Sequence, residues 1–174
     1  FWQHSYFVEG VYEPLNWLDL GMGMRASGYL LGSNMNKWFF EPRMNISVSV
    51  TPNHIMKASY SETSQFLHQL TPYTFWAPSD FWVPATGDVQ PQTAHQWSVG
   101  YSTSLSSGAY DFSVEIYRKF MEHLINFQEG TEFLLLLDKD WSALVEHDGI
   151  GKARGLEWYF RKKEGRLTGW LGYT

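Results

Sequence analysis

Six histidines, His4, His54, His68, His95, His123 and His147, are the side chains best suited to hold a metal or relay a proton. None stands at the short spacing that places two ligands on one face of one element. Cysteine is absent, which removes thiol nucleophiles, disulfides and thiolate metal sites. A glycine-rich phosphate cradle, a nucleophile elbow and a paired histidine–carboxylate motif are missing as well. These residues predict no catalytic group, no metal site and no cofactor, so the chain is not expected to be an enzyme. More chemistry resides in the rings Tyr73, Phe75, Trp76, Phe81 and Trp82, which crowd one Pro-bounded stretch. Rigid aromatics there would stack on sugar faces or dock a partner at small entropic cost, the alternative being that they pack the stretch onto itself. The third group is a set of charges, Asp19, Arg25, Arg43, Lys57, Asp111, Glu115, Glu157 and Arg161, that recurs at alternate positions among apolar residues.

That alternation defines the elements that must carry these groups. From Arg43 to Val50 every even residue is apolar and every odd one polar, the pattern of a pleated strand with one greasy and one wet face. The same period recurs in Leu18–Arg25, Gln96–Tyr101, Asp111–Ile116 and Gly155–Arg161. Turn residues then divide the chain into about eight strands, 5–12, 17–30, 39–50, 55–66, 94–105, 110–125, 153–161 and 166–174. Short connections, Glu13–Asn16, Thr51–His54, Ser106–Ala109 and Lys162–Gly165, alternate with long ones after Leu30, from Leu67 to Thr93, and from Asn126 to Lys152. In an up-and-down sheet this order collects all tight turns at one end and all long loops at the other, as in transmembrane barrels of the outer membrane. The fold class predicted is all-β, antiparallel up-and-down strands forming part of a transmembrane β-barrel wall. In such a wall these charges face a wet lumen, where they are solvated, pair with another domain or steer a substrate, because burying them bare would cost several kcal/mol each. By parity Arg118 is the main charge on the lipid side, tolerable only near an interface.

Composition agrees. Aromatic residues make up 18% of the chain and favour strands, whereas the longest uninterrupted apolar run, Phe133–Leu137, is far too short for a helical span. A net charge of -5 gives no footprint for a phosphate backbone, which excludes nucleic acid as a partner. Two other architectures fit the alternation: a soluble, lectin-like β-sandwich with an aromatic binding face, and a small closed barrel of eight strands, whose expected aromatic C-terminal residue Thr174 does not supply.

The stretch Phe40-Glu41-Pro42-Arg43-Met44-Asn45-Ile46-Ser47, continuing through Lys57-Ala58-Ser59-Tyr60-Ser61, resembles a recurrent hairpin of TonB-dependent receptors of the bacterial outer membrane. Further pieces follow in that family's order: Pro91 to Tyr101, Phe112 to Lys119, Ala153-Arg154-Gly155-Leu156-Glu157, and Leu167 to Thr174. The resemblance covers most of the chain from Trp17 onward. It implies a barrel of roughly 22 strands occluded by a plug, importing a scarce nutrient such as a siderophore or glycan with energy from the TonB complex. It further implies that residues 1–174 are a partial barrel domain, a reading supported by a start at Phe1 and an end inside an apparent strand. The partners implied are the lipid bilayer, the receptor's own plug and remaining strands, and the TonB complex reached through parts outside these residues. The short turns are then periplasmic and the long loops external. Phe133–Leu137, greasy for an external loop, would extend the wall or meet a surface lipoprotein.

Overall fold

The computed structural model describes residues 2–30, 36–71, 80–129 and 140–174. Ten strands appear in it: β1 (Trp2–Leu15), β2 (Leu18–Leu30), β3 (Asn36–Thr51), β4 (His54–Gln65), β5 (Leu67–Leu70), β6 (Phe81–Pro84), β7 (Gln92–Leu105), β8 (Tyr110–Phe127), β9 (Val145–Lys162) and β10 (Gly169–Tyr173). Eight of them form one sheet in the order β1-β2-β3-β4-β7-β8-β9-β10, every neighbour antiparallel, while β5 and β6 pair separately. The sheet is an open band with β1 and β10 at its two edges.

All tight connections lie at one end. Leu15 pairs with Leu18, Thr51 with His54, and Leu105 with Tyr110 across a 3₁₀ turn at Ser106–Gly108. These turns are tied to one another through the backbone: the Ser49 N–H donates to Trp17 O at 2.8 Å, Ser104 N–H to Asn53 O at 3.0 Å, and Lys163 N–H to Ala109 O at 2.8 Å.

Several boundaries differ from the sequence-based expectation. The stretch Leu67–Thr93, predicted as a plain connection, contains the β5–β6 hairpin, because His68 and Leu70 alternate with exposed Leu67 and Gln69 and give it a buried face. The third long connection, expected from Asn126 to Lys152, is shorter, since β8 runs on to Phe127 and β9 begins at Val145. β1 starts at Trp2 rather than residue 5, and β10 is confined to Gly169–Tyr173. Extension of β8 also needs a bulge: the register slips between Met121 and Leu124, where His123 takes φ 56°.

Among the described residues, buried apolar side chains gather at the long-connection end. One cluster joins Leu70 and Val89 to Phe127, Leu144 and Val145 from the tips of β8 and β9, and a second joins Tyr29, Phe66 and Ala85 with Phe39 against them. Elsewhere no described residue forms a second layer on the sheet, and its large apolar side chains are exposed from β1 to β10, for example Tyr6, Met22, Ile46, Val99, Leu156 and Leu171. A soluble sandwich would cover these residues with a facing sheet.

Candidate functional site

Registers place the charges named from sequence on one face. Asp19 lies opposite Ser47, Ser47 opposite Lys57, Lys57 opposite Gly100, Gly100 opposite Glu115, and Glu115 opposite Glu157, a continuous row over six adjacent strands. Arg25, Arg43, Asp111 and Arg161 share this face through their partners Glu41, Ser61 and each other. The face is concave. Lys57, Glu115, Glu157, Tyr159 and Trp170, from four different strands, border a single open hollow of about 680 Å³. Lys57, Glu115 and Glu157 make no ion pair among the described residues, so their charges are presented to that hollow. Two carboxylates placed directly opposite repel one another unless a cation or donor sits between them. The rings of Tyr159 and Trp170 stack at 6.2 Å beside them.

Nearer the long connections the concave face is bound into a network. Glu41, 3% exposed, accepts a hydrogen bond from the Ser64 backbone N–H at 2.6 Å and from the Ser27 hydroxyl at 3.1 Å, with the Arg25 Nε 3.5 Å away. Arg25 also donates to Ser5 Oγ at 3.1 Å, which joins β1 through β4. A buried carboxylate needs such donors, because an unpaired one would cost several kcal/mol. At the short-turn end Lys163 Nζ lies 2.8 Å from Asp111, which also accepts from the Ser104 hydroxyl at 2.9 Å.

The aromatic group divides. Phe81 and Trp82 stand on β6, where Phe81 packs against the cluster of Leu70 and Val89, while Trp82 is 60% exposed. Trp82 borders a second hollow on the concave face together with Gln3, Gln65, Gln92 and Lys119. Tyr73, Phe75 and Trp76 lie outside the described residues, as does Phe133–Leu137. The histidines are dispersed: His54 Nδ1 meets the Tyr101 hydroxyl at 2.5 Å, His95 sits between Glu62 and Glu122, and His68 is buried on β5 opposite Val83 of β6.

Sequence reasoning missed Glu41, Tyr159, Trp170 and the three glutamines. All but Gln92 and Trp170 have the odd parity of the named charges, so extending the alternation past charged residues would have found them. Arg118 is also not alone on the convex face, because Arg154 stands directly opposite it.

Comparison with known proteins agrees with this geometry. The family described as TonB dependent receptor-like, beta-barrel, matches residues 1–174. No curated protein matches the chain. Among solved structures, the chain is similar to the FrpB iron transporter of Neisseria meningitidis (13% identity, TM-score 0.68), covering 98% of this chain and 24% of that one. It is similar to the ferric-catecholate import receptor Fiu of E. coli K12 (10%, TM-score 0.63, 98% and 27%) and to the alcaligin outer-membrane receptor FauA of Bordetella pertussis (13%, TM-score 0.59, 98% and 30%). The chain thus spans between about a quarter and a third of the length of these structures. An antiparallel band greasy outside and charged inside, matched over its full length, belongs to the β-barrel family of TonB-dependent receptors of the bacterial outer membrane.

Proposed function

We propose that these residues form one section of the wall of an outer-membrane active transporter, which imports a bulky nutrient such as a siderophore complex or a glycan with energy delivered through TonB. The observation that carries this reading is the unpaired charge row Lys57, Glu115 and Glu157 along a concave face whose opposite side is apolar. In a closed barrel that row lines the lumen, where it contacts a plug domain or the passing solute. Trp82, with the amides of Gln3, Gln65 and Gln92 around one hollow, acts at the external mouth as a stacking platform for first capture. Tyr73, Phe75, Trp76 and Phe81 belong to the same connection and assist it.

The full receptor, expressed in a host deleted for its own receptors, should confer TonB-dependent uptake of at least one member of a labelled panel of ferric siderophores and glycans. Uptake that survives loss of TonB, or a panel from which nothing is retained, would overturn the reading. Trp82→Ala should weaken capture of the retained solute by roughly tenfold while leaving barrel assembly unchanged, as expected for removal of an aromatic anchor.

A further inference from the structure

The convex face carries two arginines that nothing among the described residues neutralises. Arg118 of β8 and Arg154 of β9 are direct cross-strand partners, and residues so placed have Cβ atoms about 5 Å apart. Like charges in that position are destabilising in the bare sheet. Both side chains are exposed, and among the described residues neither makes an ion pair or hydrogen bond. Nearby acids are engaged elsewhere: Glu62 and Glu122 flank His95 at 3.4 and 3.6 Å, and Glu62 also accepts from the Tyr60 hydroxyl. Lys152, one position further toward the long connections on the same face, lies over the Phe120 ring at 5.8 Å and adds a third cation.

The depth of this pair is set by its neighbours. The cross-strand row through Arg118 reads Tyr60, Trp97, Arg118, Arg154 on four successive strands, so two aromatic rings of the kind that mark a membrane interface share the row of the arginines. Toward the short turns the outward residues of β8 and β9 are apolar, Phe112, Val114 and Ile116 beside Phe160, Trp158 and Leu156. That band begins at Tyr110 and Lys162, whose ammonium lies over the Tyr110 ring at 5.9 Å. Eight residues of strand at a tilt near 40° cover about 20 Å of depth, close to the apolar band of about 25 Å of such barrels. Arg118 and Arg154 therefore stand where hydrocarbon gives way to headgroups, at the end of the barrel that carries the long connections.

We infer that Arg118 and Arg154 clamp the phosphate of a membrane lipid headgroup, with Lys152 as an outlying third contact. A phosphate between two guanidinium forks converts their repulsion into charge-assisted hydrogen bonds. The occupant is a lipid rather than a soluble anion because the row is bounded on one side by rings and apolar side chains that only an acyl chain covers. The inference is independent of which solute the receptor carries.

Full receptor purified in a neutral detergent supplies the test, with phosphatidic acid or phosphatidylcholine added and bound lipid counted by native mass spectrometry. Wild type should retain phosphatidic acid and gain thermal stability from it. R118Q/R154Q should lose roughly tenfold or more of that affinity, and R118K/R154K, which keeps the charge but not the forks, should fall between it and wild type. Should the glutamine pair fail to assemble, R154Q alone, checked for heat-resistant migration on gels, must show the loss. Equal retention by the glutamine variants would overturn the inference, and so would equal stabilisation by inorganic phosphate, which would make this a site for a soluble anion.

Discussion

Among the described residues neither ring nitrogen of His68 has a hydrogen-bond partner, and the side chain is fully buried on the face of β5 that also carries Leu70. Burial disfavours the charged imidazolium and pushes the pKa from 6.5 down to about 4. A shift of that size corresponds to roughly 3 kcal/mol. Above pH 6.5 the ring is neutral whether the hairpin is closed or open. As pH falls from about 6.5 to about 4 the open form takes up a proton that the closed form refuses, so closure weakens across that window. Hydrogen exchange at Leu67–Leu70, corrected for intrinsic rates, should therefore accelerate on acidification in wild type and stay flat in His68→Phe. Protection that does not change with pH in wild type would contradict this account.

At the scale of elements, the bulge in β8 is the feature that lets the wall continue past the apolar band. His123 adopts φ 56°, a left-handed conformation that costs a residue with a Cβ about 1 kcal/mol or more. Glycine takes that conformation freely, so His123→Gly should stabilise the β8–β9 pairing by roughly 1 kcal/mol, while the β-branched His123→Val should destabilise it by at least as much. Denaturant midpoints of the full receptor in detergent micelles would rank the three proteins. Opposite the bulge, Gly149 has no space for a side chain, since a Cβ would lie 2.7 Å from the Leu124 carbonyl oxygen. Periodicity could not reveal this bulge. Alternation reports which face a residue takes only while the register holds, and an inserted residue reverses the parity without any change in composition.

For the molecule as a whole, two faces meet two solvents. Ile46 is 45% exposed on the convex face, whereas Ser59 lies on the concave face and its hydroxyl meets that of Ser98 at 2.9 Å. In the bilayer Ile46→Arg should cost up to about 2–4 kcal/mol of assembly, because a guanidinium in the apolar band is short of water, while Ser59→Arg points into an aqueous space and should assemble nearly as well as wild type. The fraction that stays folded on unheated gels, after refolding into lipid vesicles, separates the two. Equal loss in both variants would mean that both faces are dry.

The eight strands of the main sheet, their antiparallel order, the two-faced pattern and the placement of tight turns at one end were all determined by the sequence itself. These are local properties: a period of two needs only the pleat, and a turn needs only its Pro, Gly, Asn or Ser. The family was legible for the same reason, from short runs within single hairpins. Only the tertiary structure decided what lies level with what. Asp19, Lys57, Glu115 and Glu157 are far apart in the chain and become one row through five successive registers, and Arg118 acquires Arg154 as its partner only when β8 pairs with β9. Register between strands depends on the sum of contacts along each ladder, and the folding of the β5–β6 hairpin onto the strand tips depends on which apolar surfaces remain uncovered there. Neither quantity is stored in any one stretch of residues.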